Sequence, residues 1–207
     1  LFDEFHVLFE PGPATVPGYL VLLNLRDHAP AVIDQLRQAI DACGDRLGEL
    51  IEQMLASPNW RPQLLGASAL RISRGAQNIE ALWSALDRPC WTSPQLAAVA
   101  SRIDPDFLPH ARARLEQGCP MNVSNAMGMS PLERHSALGP GSLTAHSAKS
   151  ASALAALCAA DGKADSGLDA LLSGPKLRSL VDQDIDQSGS IALSWREKMD
   201  SLIAESS

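Results

Sequence analysis

Between residues 30 and 56 the apolar positions fall three and four apart: Ile33, Leu36, Ile40, Cys43, Leu47, Leu50 and Met54. A helix turns once every 3.6 residues, so this spacing gathers them on one side and predicts an amphipathic helix. Pro30 suits the first turn, where a missing N–H breaks no hydrogen bond. Gly44 and Gly48 sit where the pattern can split into two pieces. Asp34, Asp41, Asp45, Glu49 and Glu52 fall on a different stripe. That stripe reads either as a solvated face or as a surface for a basic partner.

The first 29 residues lack such a period. Two apolar runs, FHVLFE and YLVLLNL, flank EPGPATVPG. They read as two short strands, or as an extended arm with one short helix. The expected organisation is therefore an irregular arm over 1–29 and a single helical domain over 30–207. In the C-terminal half, GCPMNVSNAMGMS (118–130) reads as a loop with scattered methionines. Ser130, Pro131 and Glu133 fit a helix N-cap, a first-turn proline and a capping-box acid. Residues 142–160 predict a helix of small side chains. SGLDALLSG and PKLRSLVDQD predict two short helices. Residues 190–205 predict a closing amphipathic helix through Ile191, Trp195, Met199, Leu202 and Ile203.

The middle of the chain repeats itself. LASPNWRPQLLGASALRI begins at Leu55 and LDRPCWTSPQLAAVASRI at Leu86, so Leu, Pro and Trp recur 31 residues apart. One extra residue then displaces Pro62-Gln63-Leu64 to Pro94-Gln95-Leu96. Each copy leads into an Ala-rich helix and then a second helix, NIEALWSAL or PDFLPHARARLE. Trp60 and Trp91, at matched places before the helix prolines, are expected to pack between helices rather than to bind a ligand. A two-helix unit at this period resembles HEAT-type and related α-helical repeat proteins, most clearly over residues 55–117. The period is shorter than the roughly 40 residues of a HEAT unit. The resemblance implies an all-α fold: a short right-handed α-solenoid of antiparallel helix pairs.

Composition agrees with helices. Hydrophobic residues make up 45% of the chain and aromatics only 4%, with Ala and Leu prominent. The net charge of -7 disfavours nucleic acid as a partner. It is uneven: residues 1–56 hold nine acids and three arginines, whereas 57–118 hold seven arginines and five acids. No apolar stretch approaches the roughly 18 residues of a membrane helix, and YLVLLNL is too short for a signal peptide. Cys43, Cys90, Cys119 and Cys158 form no CxxC pair and are expected to be reduced and buried, as in a cytoplasmic protein.

A search for catalytic motifs yields no HExxH, no P-loop, no nucleophile elbow and no zinc-ligand spacing. A pairing of Cys119 with His110 or His135 would rest on space rather than sequence. No catalytic residue, cofactor or metal is therefore assigned. The best partial match is DIDQSGSIALSW, residues 184–195. Asp184, Asp186, Ser188 and Gly189 fall where a calcium loop has its first ligands and its glycine. The bidentate acid is missing, and Trp195 stands in its place. The segment therefore reads as a turn before a last helix, with Gly189 ending the turn, Ser190 capping the helix and Trp195 anchoring it in the core. Weak cation binding at Asp184 and Asp186 is the alternative.

These readings favour an interaction protein whose acids at 34, 41, 45, 49 and 52 meet a basic partner. By analogy, bacterial immunity proteins cover a toxin's active site with an acidic surface. Two other readings stay open. Some HEAT-like proteins are DNA glycosylases or pigment-attaching lyases, and arginines 71, 74, 88, 102, 112 and 114 could line a groove for an anionic substrate. A subunit of a larger assembly is the third.

Overall fold

A computed structural model describes residues 2–11, 16–122, 142–162 and 166–205. Among them every named element is helical, and the one extended pairing is an isolated bridge between Pro11 and Pro17. A 3-10 turn, Asp3–Leu8, leads to α1, Gly18–Asn24. FHVLFE and YLVLLNL are thus helical rather than stranded. Phe5, Leu8 and Leu22 are fully buried in the same core as the later helices.

The long amphipathic pattern becomes α2 (Ala29–Cys43), a 3-10 turn (Gly44–Arg46) and α3 (Leu47–Ala56). The break falls at Gly44, whose φ of +51° only glycine adopts without strain. Ile33, Leu36, Cys43, Leu50 and Met54 face the core, as their spacing requires.

The two repeat copies supply α4 (Trp60–Ser73) with α5 (Ile79–Leu86), and α6 (Ser93–Ile103) with α7 (Phe107–Gln117). After them come α8 (Ser142–Asp161), α9 (Ser166–Ser173), α10 (Pro175–Val181) and α11 (Ser188–Glu205). The Ser130 capping signal lies outside the described residues.

Helices α4, α6 and α8 lie side by side as an inner row. Residues 62–70 of α4 and 93–100 of α6 are buried without interruption. A helix buried all round needs small side chains where its neighbours come close. Ala67, Ala69, Ala97, Ala98, Ala151 and Ala153 provide them. Against this row pack α3, α1 and α2 (on α4), α5 (on α6), α7 and α10 (on α8), and α11, which lies across both α6 and α8. At Gly66 a Cβ would lie 2.9 Å from Met54 Cβ, so α3 and α4 pack almost backbone to side chain.

The repeat residues tie their helices to neighbouring backbone. Gln63 donates to the Ser57 carbonyl at 2.6 Å, and its repeat mate Gln95 donates to the Leu23 carbonyl at 3.0 Å. Arg88 is buried, and it donates to the carbonyls of Leu55 and Ala56 (the latter at 2.7 Å) at the end of α3. A guanidinium there satisfies carbonyls that the helix leaves open and faces the negative end of its dipole.

Candidate functional site

The two repeat tryptophans part company. Trp60 is the first residue of α4, half-buried, with its ring edge-on to Tyr19 at 5.6 Å. Trp91 lies outside α6 and is 62% exposed. The packing role expected for it is corrected. The physical reason is the extra residue between Trp91 and Pro94: it places the indole before the helix's N-cap, Thr92, instead of in its first turn.

Trp91 is nonetheless held. The Lys149 ammonium sits 4.2 Å from its ring centroid and pairs with Asp186 at 2.5 Å. The Lys149 side chain is only 11% exposed, so α8 fixes this cation between the indole and the carboxylate. Ile185, beside Asp186, is 90% exposed. Trp91 and Ile185 are the two most exposed large apolar side chains among the described residues. Ile185 lies in the turn between α10 and α11, which also carries the exposed Asp182.

Behind Trp91 lies a buried polar cluster. The Cys90 thiol donates to Gln63 Oε1 at 2.6 Å and lies 2.9 Å from Thr92 Oγ1. Burial pushes that thiol up from its ordinary pKa, against the pull of Thr92 and the nearby cations. His146 is buried, and its Nδ1 has no hydrogen-bond partner. Burial and the Lys149 charge hold its imidazole below the ordinary 6.5, despite a hydrogen bond that the ring donates to the Cys90 backbone carbonyl. The cluster orders the base of Trp91; its thiol is not an activated nucleophile.

The segment 184–195 is a capping structure. Asp184 Oδ2 accepts from the Ser188 N–H at 2.6 Å and Oδ1 from the Ser188 hydroxyl at 3.0 Å. The cap is therefore Asp184, and not Ser190, which lies inside α11. Gly189 does not end a turn either. It belongs to the first turn of α11, and a Cβ there would come within 3.0 Å of the Ser152 carbonyl oxygen on α8. Trp195 is buried, and its indole N–H donates to the Leu22 carbonyl at 2.8 Å, which is the anchoring role its spacing predicted. With Asp184 capping and Asp186 paired, the two carboxylates are committed elsewhere. Among the described residues no cluster of three metal-ligating side chains occurs.

Asp34, Asp41, Asp45, Glu49 and Glu52 are all exposed, spread over α2, the 3-10 turn and α3 rather than one straight helix. Asp34 lies 3.4 Å from Arg37, and Glu49 accepts from Gln53 at 3.0 Å. The arginines at 71, 88, 102, 112 and 114 are engaged at separate places. Arg71 and Arg102 share Asp200, Arg114 grips both oxygens of Asp87, Arg112 pairs with Glu116, and Arg88 is interior. Arg74 is exposed at the left-handed end of α4.

One dyad escaped the sequence search. Asp104 accepts from Trp83 Nε1 and pairs with His110 Nδ1, both at 2.7 Å. Burial alone would raise its pKa, but hydrogen bonds from His110, Trp83 and the Asp106 N–H outweigh that and lower it. Trp83 stacks on Phe107 and carries Arg114 over its ring, so the dyad is braced in an α5–α7 contact. The spacing Asp104–His110 spans a helix boundary, which no periodic pattern marks. Cys119 is buried, with its thiol pushed up to about 12 by burial and by Asp87, so it stays protonated near neutral pH. His135 lies outside the described residues.

No helix among the described residues is long and apolar enough to cross a membrane. No protein-family model, curated protein or solved structure matches the chain.

Proposed function

We propose that the chain is a non-catalytic protein–protein interaction module of the helical-repeat kind, and that its partner presents a basic surface. The observation that carries this reading is Trp91, held open to solvent by Lys149 and Asp186 beside the exposed Ile185. A large aromatic kept in one orientation loses little entropy on binding and makes an effective interface anchor. The exposed Asp182, and the acids at 34, 41, 45, 49 and 52, supply the charge that would steer a basic partner. The α-solenoid arrangement belongs to the same proposal. The row α4–α6–α8 supports it, with α11 closing one side. Neutralisation of a toxin is the specific form of this reading, by analogy with immunity proteins.

The test is to co-purify a partner from the native source and measure its affinity for two variants. Trp91→Ala is expected to weaken binding by about 30-fold or more, a loss of about 2 kcal/mol typical of an anchor residue. The triple reversal Asp41→Lys, Asp45→Lys, Glu49→Lys is expected to slow association and flatten its salt dependence. A partner that binds both variants as tightly as the parent chain would refute the proposal.

A further inference from the structure

A second feature lies on the other flank of α11's start. The last turn of α1 and one face of α11 border an open surface cavity of about 250 Å³, lined by Leu23, Asn24, Arg26, Ser190, Ile191, Ser194, Trp195 and Lys198. Its walls divide by chemistry. Leu23, Ile191 and Trp195 are apolar. Arg26 and Lys198 bring two positive charges, and Ser190 and Ser194 bring two hydroxyls.

Four points give this cavity a ligand class. First, Ser190, Ser194 and Lys198 are four residues apart, so they form one row along α11 and present their donors on one side. Second, neither Arg26 nor Lys198 has an ion-pair partner among the described residues, as most of the arginines have, so both charges face the cavity unneutralised. Third, no acid lines the cavity, in a chain whose net charge is -7. Fourth, the carbonyls of Leu22 and Leu23 at the end of α1, which would repel an anion, are already taken by Trp195 and Gln95. Ser190 also stands in the first turn of an 18-residue helix, where the dipole favours negative charge.

We infer that this cavity binds a small organic phosphate monoester. The phosphoryl group would accept from Arg26, Lys198 and the two serine hydroxyls, and its apolar substituent would lie on Leu23 and Ile191. The volume suits one phosphoryl group with a ring-sized substituent, not a nucleotide. The site is independent of Trp91 and of the partner reading above.

Calorimetric titration of the whole chain with phenyl phosphate, inorganic phosphate and phenol tests it. Phenyl phosphate is expected to bind saturably and more tightly than inorganic phosphate, with phenol not binding. Arg26→Gln and Lys198→Gln are each expected to weaken phenyl phosphate about tenfold, the worth of one charged hydrogen bond. Ile191→Ser is expected to bring phenyl phosphate down to the level of inorganic phosphate. All three side chains are at the surface, so unchanged helical circular dichroism checks that the variants are folded. No saturable binding of phenyl phosphate by the parent chain, or undiminished binding by both charge variants, overturns the inference. Equal competition by chloride, which would reduce the site to unspecific charge, overturns it too.

Discussion

Trp195→Ala removes the side chain that ties the last helix to α1, and its cost follows from two observed features. The indole is 3% exposed, so its loss leaves a cavity between α11 and α1. Emptying a buried Trp site costs about 3–5 kcal/mol. The indole N–H is also the partner of the Leu22 carbonyl, and an orphaned buried acceptor adds about 1–3 kcal/mol. Partial collapse and water entry offset some of the sum, so about 5 kcal/mol is expected. For a chain of this size each kcal/mol lowers the melting temperature by about 2–4 °C, which gives a drop of roughly 10–20 °C. Two further variants isolate the causes. Trp195→Phe keeps most of the apolar burial but loses the donor, and should cost about 1–2 kcal/mol. Trp91→Ala removes the same side chain from a 62% exposed position and should cost less than about 0.5 kcal/mol. Urea melts followed by far-ultraviolet circular dichroism report all three. A cost below about 2 kcal/mol for Trp195→Ala, or an equal cost at Trp91, would refute the reasoning.

Three more predictions use the same melts. His146 is held neutral by burial, so the unfolded chain binds its proton first as pH falls below 6.5, and stability then drops. His146→Gln should remove that component, which is at most about 1.4 kcal/mol per pH unit, and identical pH profiles for the two proteins would exclude it. Gly66→Ala drives a methyl into Met54 and should cost about 1–3 kcal/mol; a neutral result would mean that α3 and α4 have room to part. Asp184→Ala should cost about 1 kcal/mol in chelator-treated protein, as a lost cap does. Millimolar calcium that stabilises the parent chain, without magnesium doing so, would instead restore the metal reading of that turn.

The parts of the structure that the sequence made legible are those that local pattern controls. Apolar residues spaced three and four apart located α2 and α3, and the glycine at 44 the break between them. The repeat located the starts of α4 and α6, because a Pro two or three residues after Trp marks a first turn in either copy. Trp195 was legible because it shares a helical face with Met199 and Ile203. Trp91 departs from the packing that the repeat predicts because the inserted residue, which spoils the 31-residue period, moves the indole off the helix. The Lys149–Asp186 bridge, the shared Asp200 and the cavity beside Arg26 join residues separated by many helices. Nothing in the order of residues marks such meetings, since they depend on which helices pack together. Residues 1–29 carry no period because their helices are one or two turns long, too short for periodicity to register.

The position of α11 has a consequence for how the chain is made. Residues 188–205 cover α6 and α8 and reach back to Leu22 and Arg37. During synthesis the inner row emerges first, with one apolar side bare until these late residues leave the ribosome. At about 5–20 residues per second, the delay between completing α6 and completing α11 is roughly 5–20 seconds. The growing chain is then most exposed to proteases and to aggregation, and its dependence on chaperones should be greatest while α11 is still inside the exit tunnel.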